Sequence, residues 1–132
     1  MVPQSLKVFV AGPMQAATVY DTVQNVKFAS AVGLKLWEMG HFPYIPQLNH
    51  YTLEQARDMG LSLEVHDYLA WDEKFLTVCD AIFLIADSPG AQRALEVALD
   101  MHIPVWRSFD EVPDARVDQL RQVTQMMGST RY

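Results

Sequence analysis

Cysteine is almost missing from this chain. Cys79 is the single one in 132 residues, which excludes a disulfide framework and a thiolate metal site. A reducing, cytoplasmic setting is the expectation. The four histidines, His41, His50, His66 and His102, fall on separate segments, and no His/Cys/Asp/Glu set has metal-ligand spacing. Basic charge is scarce too. Ten Lys and Arg face sixteen Asp and Glu, for a formal net charge of −6. The ten are scattered from Lys7 to Arg131, whereas binding a nucleic-acid backbone needs them clustered. A nucleic-acid polymer is therefore not expected as a partner, although one small anion can still be held at a helix N-terminus without net positive charge. No apolar run approaches membrane length, and "MVPQSLKVFVAG" reads as a strand and not as a signal peptide, so no membrane partner is expected. Repeats, linkers and low-complexity segments are absent as well.

What remains is an ordinary globular composition, half hydrophobic and a fifth charged, of a length that suits one domain with a real core. "LKVFVAG" (Leu6 to Gly12) is β-branched and aromatic and stops at Gly-Pro, as a buried strand does. From Thr22 to Met39 apolar residues recur at helical spacing up to Gly40. "HFPYIP" is a short extended segment, Thr52 to about Cys79 is mostly helical with a break at Gly60, and "AIFLIA" (Ala81 to Ala86) is a second buried strand. A helix opened by Ser88 runs to about His102, "IPVW" is a third short strand, and Pro113 begins a last helix ending near Gly128. Continuous apolar strands alternating with helices predict one α/β domain, a Rossmann- or flavodoxin-like parallel sheet with helices on both faces. Ligands of such folds sit at the carboxyl edge of the strands. Gly12-Pro13, "PQLNH" and Asp87 to Ala91 all fall on that edge.

The third of these segments is the most informative. Ser88 suits an N-cap and Pro89 the first helical position, so "SPG" is a well-capped helix start in its own right. Gly90 also lets a ligand approach the backbone, and the Gly90 and Ala91 N–H groups with the Ser88 hydroxyl form a candidate anion cradle. Projected at about 100° per residue, Gly90, Ala91, Ala94, Leu95, Val97, Ala98 and Met101 share an inward face. Arg93 and Glu96 share the opposite one, so Glu96 is a solvated charge.

Several elements in order now resemble one family: a strand ending in "AGP", a helix containing Asn25, then "PYIPQLNH", "YLAWDEKFLTVCDAIFLI", "SPGAQRA" and a helix closing on "IPVW". From roughly Val8 to Trp106 the chain is similar to the nucleoside 2-deoxyribosyltransferase superfamily, which includes 2'-deoxynucleoside 5'-monophosphate N-glycosidases. In that family Ser-x-Gly is followed, four residues after the glycine, by a glutamate that attacks the anomeric carbon. Ser88 and Gly90 match, and the glutamate position holds Ala94. Ala98 and the Ile103-Pro104 turn stand at the family's spacing from Ala94 and not from Glu96, while His102 stands where a glycine is usual. Asp72, eight residues before Asp80, matches the aspartate that contacts the sugar hydroxyl and helps protonate the leaving base.

Breaking an N-glycosidic bond builds oxocarbenium-like charge on the sugar. A carboxylate can trap it as a glycosyl-enzyme, and a second acid can deliver a proton to the departing base. The resemblance thus implies base hydrolysis or deoxyribosyl transfer on a nucleoside or nucleoside 5'-monophosphate, with no cofactor, in a homodimer or higher homo-oligomer. Alanine cannot act as the nucleophile, so this chain is expected to be inactive, either as an engineered Glu-to-Ala variant or as a natural non-catalytic relative. The intact surroundings favour the first. The resemblance also nominates Gly12 and Pro13 against the sugar or its 5' substituent, and Tyr20 and Asn25 against the base or sugar. It places His50 on the site edge. Trp71 is expected to pack, with an aromatic wall for a base as the alternative, and Met126 and Met127 to fill a helix or subunit contact. Val117, Leu120, Val123 and Met127 form one stripe of the last helix, a candidate interface or a surface for its own sheet. Two non-enzymatic alternatives stand beside this reading: a nucleotide-sensing module of the same fold, and a generic flavodoxin-like interaction domain.

Overall fold

A computed structural model describes residues 4–116. Its elements are β1 (Lys7–Ala11), α1 (Val19–Glu38), β2 (Phe42–Tyr44), α2 (Asn49–Asp58), α3 (Val65–Leu76), β3 (Ala81–Leu84), α4 (Pro89–Met101) and β4 (Val105–Trp106). Short 3-10 turns at Pro46–Leu48 and Phe109–Glu111 complete the chain order. The strands form one parallel sheet in the order β2-β1-β3-β4. This is the single α/β domain with a parallel sheet that the alternation of apolar runs predicts.

Period-two alternation divides β1 between two cores. Val8 and Val10 pack with Ala29, Val32 and Leu36 of α1, while Phe9 and Ala11 pack with Leu76 of α3 and with Ala91, Ala94, Val97 and Ala98 of α4. The sheet is covered on both faces, which is why its strands read as unbroken apolar runs.

Element boundaries moved where caps outrank hydrophobic spacing. Helix α1 begins at Val19 because Thr18 caps it, accepting from the Asp21 N–H at 3.0 Å. Thr22, expected to open the helix, lies inside its first turn and accepts from the Ala16 N–H instead. Helix α2 begins at Asn49, fed directly by the 3-10 turn. It ends in a Schellman motif: Gly60 at φ +75° donates to Arg57 O, and Leu61 donates to Ala56 O. Helix α4 ends in the same motif, with Ile103 donating to Ala98 O and His102 to Leu99 O. There the left-handed position, φ +57°, is filled by His102 and not by glycine, a strain of about 1 kcal/mol.

Beneath the sheet, at the amino ends of the strands, residues past β4 dock on the turn between α1 and β2. The fully buried His41 ring accepts from the Leu6 N–H through Nδ1 and lies 2.5 Å from Pro113 O through Nε2. Ala115 N donates to Met39 O, and Ser5 Oγ donates to Gly40 O. Pro113, Asp114 and Ala115 are not helical. The remainder of the helix expected from Pro113, with Val117, Leu120, Val123, Met126 and Met127, lies outside the described residues.

Candidate functional site

Strand β1 is followed in sequence by β2 on one side and flanked by β3 on the other, so the β1–β3 boundary is where the sheet's winding reverses. Ligands of open parallel sheets bind in the crevice beyond the carboxyl ends at such a point. A cavity of about 310 Å³ opens there. The loop Gly12 to Gln15 and Phe9 and Ala11 of β1 form one side, and Ser88 with Pro89 to Ala91, Arg93, Ala94 and Val97 of α4 another. Val65, Tyr68, Leu69, Asp72, Glu73 and Leu76 of α3 face them, and Pro46 and Gln47 close the end.

Of the residues nominated from sequence, Gly12, Pro13, Asp72, Ser88, Gly90, Ala91 and Ala94 line this cavity. Ala94 is buried, and its methyl group belongs to the α4 core face as well as to the cavity wall. Tyr20, Asn25 and His50 do not line the cavity. Tyr20 is 71 % exposed at the start of α1. Asn25 Nδ2 donates to Met14 O at 3.0 Å, so it braces the cavity loop from behind. His50 sits in the first turn of α2, where its Nε2 lies 3.1 Å from Glu54 Oε1 without hydrogen-bond geometry. Trp71, expected to pack, is 45 % exposed, because the face of α3 that carries Asp72 and Leu76 turns inward instead.

Asp72 is the chemically distinctive group. It is buried, and burial pushes its carboxyl up to about 6, against the lowering effect of hydrogen bonds from Tyr44 and Asn49. The Tyr44 hydroxyl donates to Oδ1 at 3.0 Å and Asn49 Nδ2 donates to the same oxygen at 2.7 Å. Neither uses Oδ2. One carboxyl oxygen is therefore clamped, and the other is left to carry a proton. Burial, and then Asp72 itself, hold the Tyr44 hydroxyl well above its ordinary range, so it stays a donor. Its ring is stacked between Phe9 and Phe75, with centroids 5.5 and 5.0 Å away. Neither Tyr44 nor Asn49, both within "PYIPQLNH", stands out in the sequence as a site residue. Tyr44, the last residue of β2, sits opposite Phe9 in the β1 register, which is the signal that would have placed it.

The raised Asp72 carboxyl has a consequence for stability. The native state keeps a proton that the unfolded chain has lost between about pH 4 and pH 6, so stability falls as pH rises through that window and stays lower above it. The cost is at most about 3 kcal/mol. Asp72→Asn keeps an oxygen acceptor for Tyr44 and Asn49 and removes the charge. The variant is expected to be more stable than the parent at pH 7 by roughly 1–3 kcal/mol. The difference should vanish near pH 4, as urea denaturation at the two pH values will report.

The start of α4 is less open to an anion than its sequence implies. Ser88 Oγ accepts from the Ala91 N–H at 3.0 Å, and Gln92 N donates to Ser88 O. Pro89 has no N–H, so the free donors of the expected cradle are the Gly90 N–H and the Ser88 hydroxyl proton. A Cβ on Gly90 would meet only Leu69 Cδ2, at an ordinary 3.5 Å, so packing does not demand glycine there. Arg93 bridges the cavity mouth, donating to Glu73 Oε1 at 2.9 Å and to Glu96 Oε2 at 3.0 Å. Gln47 is fully buried and spans Val10 O and Gly12 O with its amide nitrogen, leaving Oε1 without a donor. Burial, then Asp80, pushes the Cys79 thiol up to about 11, and it donates to Phe75 O, so it is no nucleophile. Among the described residues no group of three His, Cys, Asp or Glu side chains could hold a metal ion, and no helix is long and apolar enough to cross a membrane. Compared with protein-family models and with curated proteins, the chain matches none.

Proposed function

We propose that this cavity binds a nucleoside or nucleoside 5'-monophosphate at its N-glycosidic bond, in a domain whose active form hydrolyses that bond or transfers the deoxyribosyl group. The observation that carries the reading is the pairing of Asp72 and Ala94 across one cavity at the sheet's reversal point. Asp72 has the features a general acid needs: a carboxyl raised towards neutrality, one oxygen fixed by two donors and the other free to reach a departing base. Ala94 stands on the facing helix where a carboxylate nucleophile would meet the anomeric carbon. With a methyl group there, no glycosyl-enzyme forms, and the chain holds its ligand without turning it over. Gly90 fits the same reading, because a Cβ there would meet only Leu69 Cδ2, at 3.5 Å, so the surface beside it is open to a ligand. A nucleotide-sensing module is the second reading, favoured by Ala94 alone.

Binding is the direct test, since it does not need the missing carboxylate. A ligand at a hundred times its Kd stabilises the native state by about 2.7 kcal/mol, which is a rise of several degrees in Tm. Titration with a panel of 2'-deoxynucleosides and their monophosphates should produce such a rise for at least one base. A flat panel would leave the cavity without this role. The resemblance also implies a homo-oligomer. Trp71, Phe75 and Val78, 45, 47 and 58 % exposed on one stripe of α3 and its end, are apolar surface that a second copy would cover.

A further inference from the structure

Strand β2 ends at Tyr44, and β1 runs on past it. The carbonyls of β1 alternate between its two neighbours. Leu6 O accepts from Phe42 N on the β2 side, while Lys7 O and Ala11 O accept from Asp80 N and Ile85 N on the β3 side. Val10 O and Gly12 O therefore face the β2 side beyond the point where that strand stops. Gln47, in the 3-10 turn that follows β2, reaches them instead: its Nε2 donates to Val10 O at 3.3 Å and to Gly12 O at 3.2 Å. Gln47 is 1 % exposed, lines the cavity beside Gly12, and has no donor for its Oε1. We propose that Gln47 Oε1 is the acceptor that reads an uncharged N–H or O–H group of the bound ligand, which makes Gln47 a specificity-determining residue of this site. The inference rests on the nucleoside reading above and deepens it, because it says which chemical group the ligand carries at the closed end of the cavity.

Three observations carry it. First, the amide has one workable orientation. Turning it over would set Oε1 against two carbonyl oxygens, so the nitrogen stays on β1 and the oxygen faces away from it. Second, both Nε2 hydrogens are used. Gln47 can serve a ligand only as an acceptor, which suits an amino or hydroxyl group and turns away a keto oxygen, a carboxylate or a phosphate. Third, Oε1 is buried and unpaired, and a buried acceptor in that state is costly. A ligand that brings the missing donor relieves the cost, and one of the same shape without it does not. Because Oε1 is closed to bulk water, only a donor pressed into that end of the cavity meets it. The placement is rigid as well. Tyr44 and Asn49, on either side of the turn that carries Gln47, both donate to Asp72 Oδ1, so the acceptor and Asp72 are held on one frame.

The test uses the full chain as it is, with Ala94, and compares Kd values by calorimetry. Its probes are the common 2'-deoxynucleosides and analogues that each lack one donor: the exocyclic amine replaced by hydrogen, or the 3'- or the 5'-hydroxyl removed. For a nucleoside that binds, at least one analogue should bind about tenfold weaker than the intact ligand. Which analogue it is tells a base amine from a sugar hydroxyl. Gln47→Met keeps the length of the side chain and removes the amide. It should weaken every ligand by a shared factor, because the Gly12 loop loses its brace, and it should also bring one such analogue level with the intact ligand. The Gln47 side-chain amide resonances of the unsubstituted protein give a second reading, in which they move with the intact ligand and stay in place with that analogue. A gap that survives Gln47→Met, equal Kd values for all analogues on the parent protein, or an unmoved amide would each overturn the assignment while the nucleoside reading stands. Failure of every one of these nucleosides to bind would instead overturn both.

Discussion

Ala94→Glu is expected to release free base from a 2'-deoxynucleoside or its monophosphate where the parent protein releases none. The side chain would project from the buried face of α4 into the cavity that Asp72 enters from α3. Two carboxyls would then flank one bond: an ionised Glu as nucleophile and a protonated Asp72 as acid. Loss of a covalent nucleophile in other enzymes costs roughly 10⁶ in turnover, so its restoration here should bring the rate from background into easy detection. The pH profile follows from the two roles. Activity should fall above about pH 6 as Asp72 loses its proton, and fall again in acid as the new glutamate gains one. Asp72→Asn in the same background should slow release by about 10² to 10⁴. The introduced carboxylate enters an apolar wall, so a loss of roughly 1–3 kcal/mol in stability is expected alongside. Chromatographic assay of base release settles the matter. A folded Ala94→Glu protein that releases nothing from any deoxynucleoside or deoxynucleotide removes the enzymatic reading.

Gly40→Ala should nearly unfold the protein. Gly40 adopts φ +97°, and a Cβ there would stand 2.3 Å from both the carbonyl carbon and oxygen of Ala115 and 2.7 Å from Arg116 N. Those are backbone atoms, and they cannot swing aside as a side-chain tip would. They are pinned by Ala115 N to Met39 O and by the His41 ring between Leu6 and Pro113. Either the turn or the docked segment must give way. The expected loss exceeds about 3 kcal/mol, a large part of the roughly 5–15 kcal/mol that holds a domain together. Gly60→Ala is the internal comparison. Gly60 also has positive φ, at +75°, but a Cβ there meets no atom within 4 Å. It should cost only the conformational term, about 1 kcal/mol. Thermal unfolding should therefore separate the two variants by several degrees or more. Equal losses would mean that the contact with Ala115 is not what fixes Gly40.

The strands were readable because both faces of the sheet are covered, which makes "VFVA" of β1 and "AIFL" of β3 unbroken apolar runs. Ala94 and Asp72 were readable because helical periodicity and motif spacing are local properties. Partnerships across the chain were not. Tyr44 and Asn49 reach Asp72 over separations of 28 and 23 residues, and only the register of β2 against β1 brings them there. His50 misled for the reverse reason. Its segment does follow β2, but the 3-10 turn at Pro46–Leu48 starts α2 immediately and carries the ring away from the cavity. At Ser88 the cap takes one of the three donors of the expected cradle, the Ala91 N–H, and which donor a cap takes shows only in the folded backbone.

Strand β2 is three residues long and its middle residue is Pro43, which has no amide hydrogen to offer. It forms the outer rim of the sheet on its side. A rim so brief and so poor in donors gives a passing β-chain nothing to zip onto, which protects the molecule from fibre-like growth in that direction. Any partner approaching there has to be recognised by side chains such as Phe42 and Phe75, and swapping those residues should redirect association without disturbing the sheet behind them.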